Sequence, residues 1–160
     1  MAIYMQLPNI AGNVTTKNYQ DWIELTSSNF IGKRFMTNGL GSHQNREAGM
    51  PFIGELELTK KLDKASPLML AQLFNGKTWD KVNIVAAKGA DPVKPYAQYI
   101  LHDVMVGHFE EMLMPEEAQG LEFIRLNFCK MEKSYIPHNA QGVQQSPIST
   151  GYDLSTAQVL

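Results

Sequence analysis

Residues 52–77 read FIGELELTKKLDKASPLMLAQLFNGK. Between Ile53 and Leu62, Leu56, Leu58 and Lys60 fall on one side of an extended chain, and Glu55, Glu57 and Thr59 on the other. That is the period of two expected of a half-buried strand. Asp63-Lys64-Ala65-Ser66-Pro67 then opens a helix, about residues 66–75. Ser66 is placed as the N-cap, whose hydroxyl accepts a free N–H of the first turn. Pro67 suits the first helical position, where no N–H is needed. Leu68 to Phe74 is apolar except for Gln72, and Gly76 stands where a left-handed C-terminal cap is wanted, with Lys77 beside the negative end of the helix dipole. A helix apolar nearly all round needs cover on more than one face. The second cover is expected from a neighbouring copy.

Outward from this block the chain reads as strands. Ile3, Met5 and Leu7 alternate; Asn9 to Lys17 turns, with Gly12-Asn13 as its tip. Trp22 to Ile31 is strand-like with a change of face that a bulge would produce. Lys33 to Met50 lacks periodicity and is expected to be a long functional loop. Val82, Ile84 and Ala86 mark a strand that turns at Lys88–Pro92 and pairs back through Ala97–Val106. Gly107 to Gly120, with Glu110, Glu111, Glu116 and Glu117 around Met112-Leu113-Met114, reads as an acidic connector whose apolar residues are expected in the core. Leu121 to Ile136 is the longest strand signal, His138 to Thr150 a loop, and Tyr152 to Leu160 a final strand or a loose tail. Many strands with turns every ten residues or so, plus one helix, make the fold mainly β, a barrel or sandwich.

The 160 residues are expected to form a single domain, residues 1–160, with room for a proper core. A net charge of −2 supplies no electrostatic attraction for nucleic acid or an anionic membrane. The single cysteine, Cys129, excludes an internal disulfide, and the alternation around it predicts a buried, inert thiol. The N-terminal residues lack the basic start and apolar run of a secretory signal, and no run reaches the length of a membrane span. The chain is therefore expected to be made in the cytoplasm and, if it leaves the cell, to do so without a cleaved signal.

No constellation marks an enzyme. His43, His102, His108 and His138 have no partner at metal-ligand spacing, and His102 and Asp103, adjacent on a strand, point to opposite faces. The paired glutamates near residues 110 and 117 are read as solvated, since nothing else marks a cleft for carboxylate chemistry. Gly39-Leu40-Gly41 lacks the rest of a phosphate loop, and Ser42-His43 is not by itself a nucleophile–base pair. Aromatics are spread through the strands, as core packing requires. No catalytic residue, metal ligand or cofactor is assigned.

The block from the strand through Gly76-Lys77 resembles the haemolysin-coregulated protein (Hcp) family, the tube subunits of the bacterial type VI secretion system. Three further segments carry the likeness: Tyr99 to Val106 with its acidic Asp103 before Val104, Leu126 to Pro137 ending in Tyr135-Ile136-Pro137, and Gly151-Tyr152-Asp153-Leu154. The resemblance implies a closed β-barrel of two sheets with one flanking helix. It also implies a structural, non-enzymatic protein whose hexameric rings stack into an exported tube that carries effectors in its lumen. Sheath, spike and effector proteins would be its partners. It places Asn29, with Ser27 on the same side, towards the lumen, where a polar, neutral, weakly adhesive surface is expected. It places Phe35, Leu40, His43 and Arg46 in contacts between subunits or rings. A small-molecule-binding barrel and a carboxylate-dependent hydrolase are the alternatives, and a particle size near six subunits separates the tube reading from both.

Overall fold

The computed structural model describes residues 1–37, 47–89, 92–115 and 119–160. In chain order the strands are β1 (Ala2–Gln6), β2 (Ile23–Leu25), β3 (Ser27–Thr37) and β4 (Glu47–Lys61). Helix α1 (Ser66–Asn75) comes next. It is followed by β5 (Trp79–Lys88), β6 (Lys94–Met112), β7 (Leu121–Asn127), β8 (Lys130–Tyr135), β9 (Ile148–Asp153) and β10 (Gln158–Val159). All the ladders are antiparallel.

Alternation explains the packing. Leu56, Leu58, Ile124 and Leu126 point inward from β4 and β7, Val82 and Ile84 from β5, and Met5 and Ile23 from β1 and β2, all buried in one cluster. From the helix Met69 enters it fully buried, with half-buried Leu73 packed against it. Buried aliphatic side chains of this kind each contribute roughly 1.5–3 kcal/mol. A smaller cluster lies around Tyr4, Tyr19, Val85 and Ala87, with Tyr4 stacked on Tyr19 at 4.8 Å and Trp22 edge-on at 5.1 Å.

The long strand β6 belongs to two sheets. Residues 94–104 pair with β5, within the order β10-β9-β8-β6-β5-β1-β2. Residues 105–112 pair with β7, in the order β3-β4-β7-β6. At the junction Asp103 has φ 51°, a left-handed conformation that Asp tolerates better than most residues, and the register shifts again between Val106 and His108. The mainly-β fold with one flanking helix is as expected. The sheets wrap one core without a closed ring of ladder hydrogen bonds. Beside the break between β2 and β3, the Thr26 N–H donates to the Thr59 carbonyl at 2.7 Å.

Several local expectations are corrected. The N-cap is Ala65, with no side-chain cap; Ser66 is the first helical residue and is buried, because its hydroxyl is engaged in a buried charge pair described below. Pro67 is the second helical residue, one position later than expected, and Gly76 closes the helix with φ 60°, its N–H donating to the Gln72 carbonyl. Of the loop expected over 33–50, Lys33–Thr37 and Glu47–Met50 are strand, since β3 and β4 pair as far as Thr37 and Glu47. The acidic connector is likewise strand through Met112, and Met112 and Leu113 are 44% and 66% exposed rather than buried, because the strand runs past the core. The long strand expected over 121–136 breaks at Phe128-Cys129. Glu122, Ile124, Leu126 and Phe128 point inward, so the alternation itself turns Cys129 out, and the extra residue at the break brings Met131 back into the core. Gly12 is not a free turn tip: its N–H donates to the Asp21 carbonyl, and a Cβ there would lie 2.2 Å from the Trp22 carbonyl oxygen.

Candidate assembly interface

The alternation that buries one face of β4 and β7 turns Glu57, Thr59, Phe123 and Arg125 outward. The register brings Asn29, Glu57, Arg125 and His108 into one cross-strand row, with Ser27, Thr59, Phe123 and Glu110 in the next. These side chains line a depression of about 330 Å³. Asn29 Nδ2 donates to Glu57 Oε2 at 3.2 Å, and Arg125 Nε lies 3.2 Å from Glu57 Oε1. Asn127 Nδ2 donates to Glu55 Oε1 at 3.4 Å, and His108 Nε2 is 3.5 Å from Glu110 Oε2. The face that carries Ser27 and Asn29 is thus polar but charged, not neutral: its glutamates fall beside the small amides because β4 pairs with both β3 and β7. Exposed pairs of this kind contribute about 0–1 kcal/mol each, so they order the surface more than they hold the fold.

The same sheet has two edges without a partner strand among the described elements. One is the outer edge of β3. The other is the edge of β6 over residues 105–112, beyond the Trp79–Val104 pair where β5 begins. Near the hairpin end of the sheet, Phe35 is 75% exposed, Met50 72% and Phe52 54%, with Lys33 and Arg34 exposed between them. Leu40, His43 and Arg46 lie outside the described residues.

Helix α1 is tied to this sheet by charges in the core. Lys60 Nζ, fully buried on β4, donates to Glu122 Oε2 at 2.5 Å, to Ser66 Oγ at 2.9 Å and to the Lys61 carbonyl at 2.8 Å, and lies 2.9 Å from Asp63 Oδ1. Ser66 Oγ is 2.9 Å from Glu122 Oε2 and accepts from the Asp63 N–H at 3.0 Å. Glu122 Oε1 is buried with no partner among the described residues. The inward place of Lys60 is legible in the alternation; its partner Glu122, 62 residues on, is visible only in the fold.

On the other sheet His102 Nε2 is 2.9 Å from Glu132 Oε1, which Lys130 also approaches at 3.2 Å. The hydrogen bond from His102 holds the Glu132 carboxyl below the usual range, and Lys130 adds to that against some loss of solvation. The Ser155 hydroxyl does the same for exposed Asp153. Among the described residues no group of three or more His, Cys, Asp or Glu is placed to hold a metal ion, and no helix is long and apolar enough to cross a membrane.

Residues 4–135 match the family model described as type VI secretion system effector, Hcp. The chain belongs to the Hcp family. Solved structures agree in fold. One described as a type six secretion system protein has a TM-score of 0.92 at 19% identity, with 99% of each chain covered. Hcp1 from Salmonella typhimurium has a TM-score of 0.77 at 22% identity, covering 99% of this chain and 98% of that one. A type VI secretion system effector from Yersinia pestis has 0.73 at 22%, covering 94% and 98%. Among curated proteins, none matches by sequence. As an Hcp protein the chain is a subunit of the type VI secretion tube. The span that matches the Hcp model takes in β1 to β8 and stops at Tyr135; β9 and β10 lie beyond it.

Proposed function

We propose that this Hcp protein forms hexameric rings whose pore is lined by the β3-β4-β7-β6 sheet, and that the rings stack into the exported tube. The observation that carries this reading is the pair of partnerless edges on that sheet. In the order β3-β4-β7-β6 each strand runs opposite to its neighbour, so β3 of one copy meets residues 105–112 of the next in antiparallel sense. An edge that pairs with a different edge gives a head-to-tail contact, and such contacts close into a ring when the rotation permits. Exposed residues of the outward face, Ser27 and Asn29 among them, then face the lumen, and effector proteins of small size are its cargo.

The role is structural rather than catalytic. The protein acts as one folded unit of the tube, with the sheath outside it and the spike at its end, and it leaves the cell with the tube. Sedimentation over a wide dilution range tests the reading. The expected outcome is a dominant species of about six times 18.0 kDa, because a closed ring must break two contacts to lose one subunit. A stable monomer at tens of micromolar would overturn it.

A further inference from the structure

The outward face of the β3-β4-β7-β6 sheet carries an excess of negative charge. Over the three cross-strand rows from Glu55 to Thr59, the outward ionised side chains are Glu55, Glu57, Glu110 and Arg125. Three carboxylates against one guanidinium leave a formal −2, which is the formal charge of the whole chain, so the residues outside these rows balance one another. Arg125 is engaged by Glu57, 3.2 Å from Oε1. Among the described residues, Glu55 receives only the Asn127 amide at 3.4 Å, and Glu110 only His108 Nε2 at 3.5 Å. Glu55 also lies against Gly107 of β6, where an added Cβ would stand 2.7 Å from Oε1. The glycine leaves room for a carboxylate that reaches across β7 to the middle of the face. Lys61, the next outward position on β4, lines a different depression at the end of the sheet.

We infer that this face selects cargo by charge: small proteins with lysine- or arginine-rich surfaces are held, and acidic proteins and nucleic acids are turned away. This rests on the ring reading above. Repeated round a closed pore, like charges on low-dielectric walls reinforce one another more than they do on an open surface. The depression of about 330 Å³ in each copy, with half-buried Phe123 among its side chains and Glu57 and Glu110 beside it, suits one cationic side chain. The stem of a lysine or arginine lies against the ring of Phe123, and its charge stands by the carboxylates. Every such contact is open to water, so each is weak and screened by salt. The cargo is held by the number of contacts, one set from each copy, rather than by any one of them.

Peptides of opposite charge test the selection. The probes are a dye-labelled Gly-Ser peptide with interspersed lysines and the same peptide with glutamates in their place, followed by fluorescence anisotropy. The lysine peptide should bind, more weakly as salt is raised, and the glutamate peptide should not. Glu55→Gln/Glu110→Gln should weaken binding of the lysine peptide by at least about tenfold. Glu24→Gln/Asp80→Asn removes as much charge from exposed positions on the other sheet, and should change binding by less than about twofold. Equal loss in the two double variants would show a general response to net charge and overturn the proposal, as would binding of both peptides or of neither. Sedimentation of each protein runs alongside. A parent of monomer mass would sink the ring reading, and the same two double variants, compared on that monomer, would still decide whether this face selects cations. If only Glu55→Gln/Glu110→Gln fails to form rings, Glu110→Gln takes its place with an expected loss of about threefold; unchanged binding in that ring overturns the proposal.

Discussion

Lys60 holds an ammonium group in a place where a strand's inward face calls for an aliphatic side chain. It is tolerated because Glu122, Asp63, Ser66 and a backbone carbonyl surround it. Removing one partner of such a buried pair leaves the other charge uncompensated, which costs about 3–5 kcal/mol, whereas replacing both with apolar residues is often neutral. Glu122→Leu is therefore expected to lower stability in urea by that amount, and Lys60→Met/Glu122→Leu to regain most of it; a double variant as weak as the single one would contradict this account. A milder effect belongs to Glu132. Its carboxyl is held below the ordinary range first by the His102 hydrogen bond. A depressed carboxylate contributes stability above its unfolded pKa and loses it as pH falls through the folded one. In His102→Ala the Glu132 titration, followed by carboxyl NMR shifts, is expected to move up towards the ordinary value, and acid is expected to cost less stability than in the parent. An unmoved titration would assign the shift to something other than His102.

At the scale of an element, helix α1 is held from below rather than capped from its own N-terminus. Met69 is its fully buried apolar residue, while Leu70 is only half-buried and Leu68 and Phe74 are 49% and 75% exposed. Met69→Ala is expected to cost about 2–5 kcal/mol, and Leu70→Ala clearly less; denaturant melts that reverse this order would mean the helix is rotated from its described position. Ser66→Ala should cost about 1–3 kcal/mol, because the lost hydroxyl leaves buried charged groups short of a partner. The segment that folds over Tyr4 and Val85 depends on Gly12, whose missing Cβ lets it approach Trp22. Gly12→Ala needs a backbone shift, so loss of the Tyr4–Tyr19–Trp22 packing, read by near-ultraviolet circular dichroism, is expected before loss of the main core.

For the whole molecule, exposed apolar side chains lie at opposite ends of one sheet, and its partnerless edges on opposite sides. In the ring proposed above, the partnerless edges pair between neighbouring copies. Deleting Thr37 to Arg46 is expected to leave the circular dichroism spectrum and the ring mass near those of the parent while secretion and tube formation fall. Tubes formed normally by the deletion protein would remove that stretch from assembly.

Local pattern determined a good deal on its own. The alternation of β4 placed Leu56, Leu58 and Lys60 inward, and Pro67 and Gly76 bounded the helix, because these signals act through backbone geometry within a few residues. Family membership also stands in the sequence, since the match runs from residue 4 to 135. What only the tertiary structure decided were the features that depend on distant partners. Ser66 turned from cap to ligand of a buried ammonium because Glu122 approaches from β7. Cys129 was exposed because the inward phase of β7 falls on Ile124, Leu126 and Phe128, and β6 crossed from one sheet to the other at Asp103. Lys33–Thr37 became strand because β4 lies alongside it. Period-two alternation reports which side a residue faces, but not whether the strand has outrun its core, and that is why Met112 and Leu113 came to lie in the open.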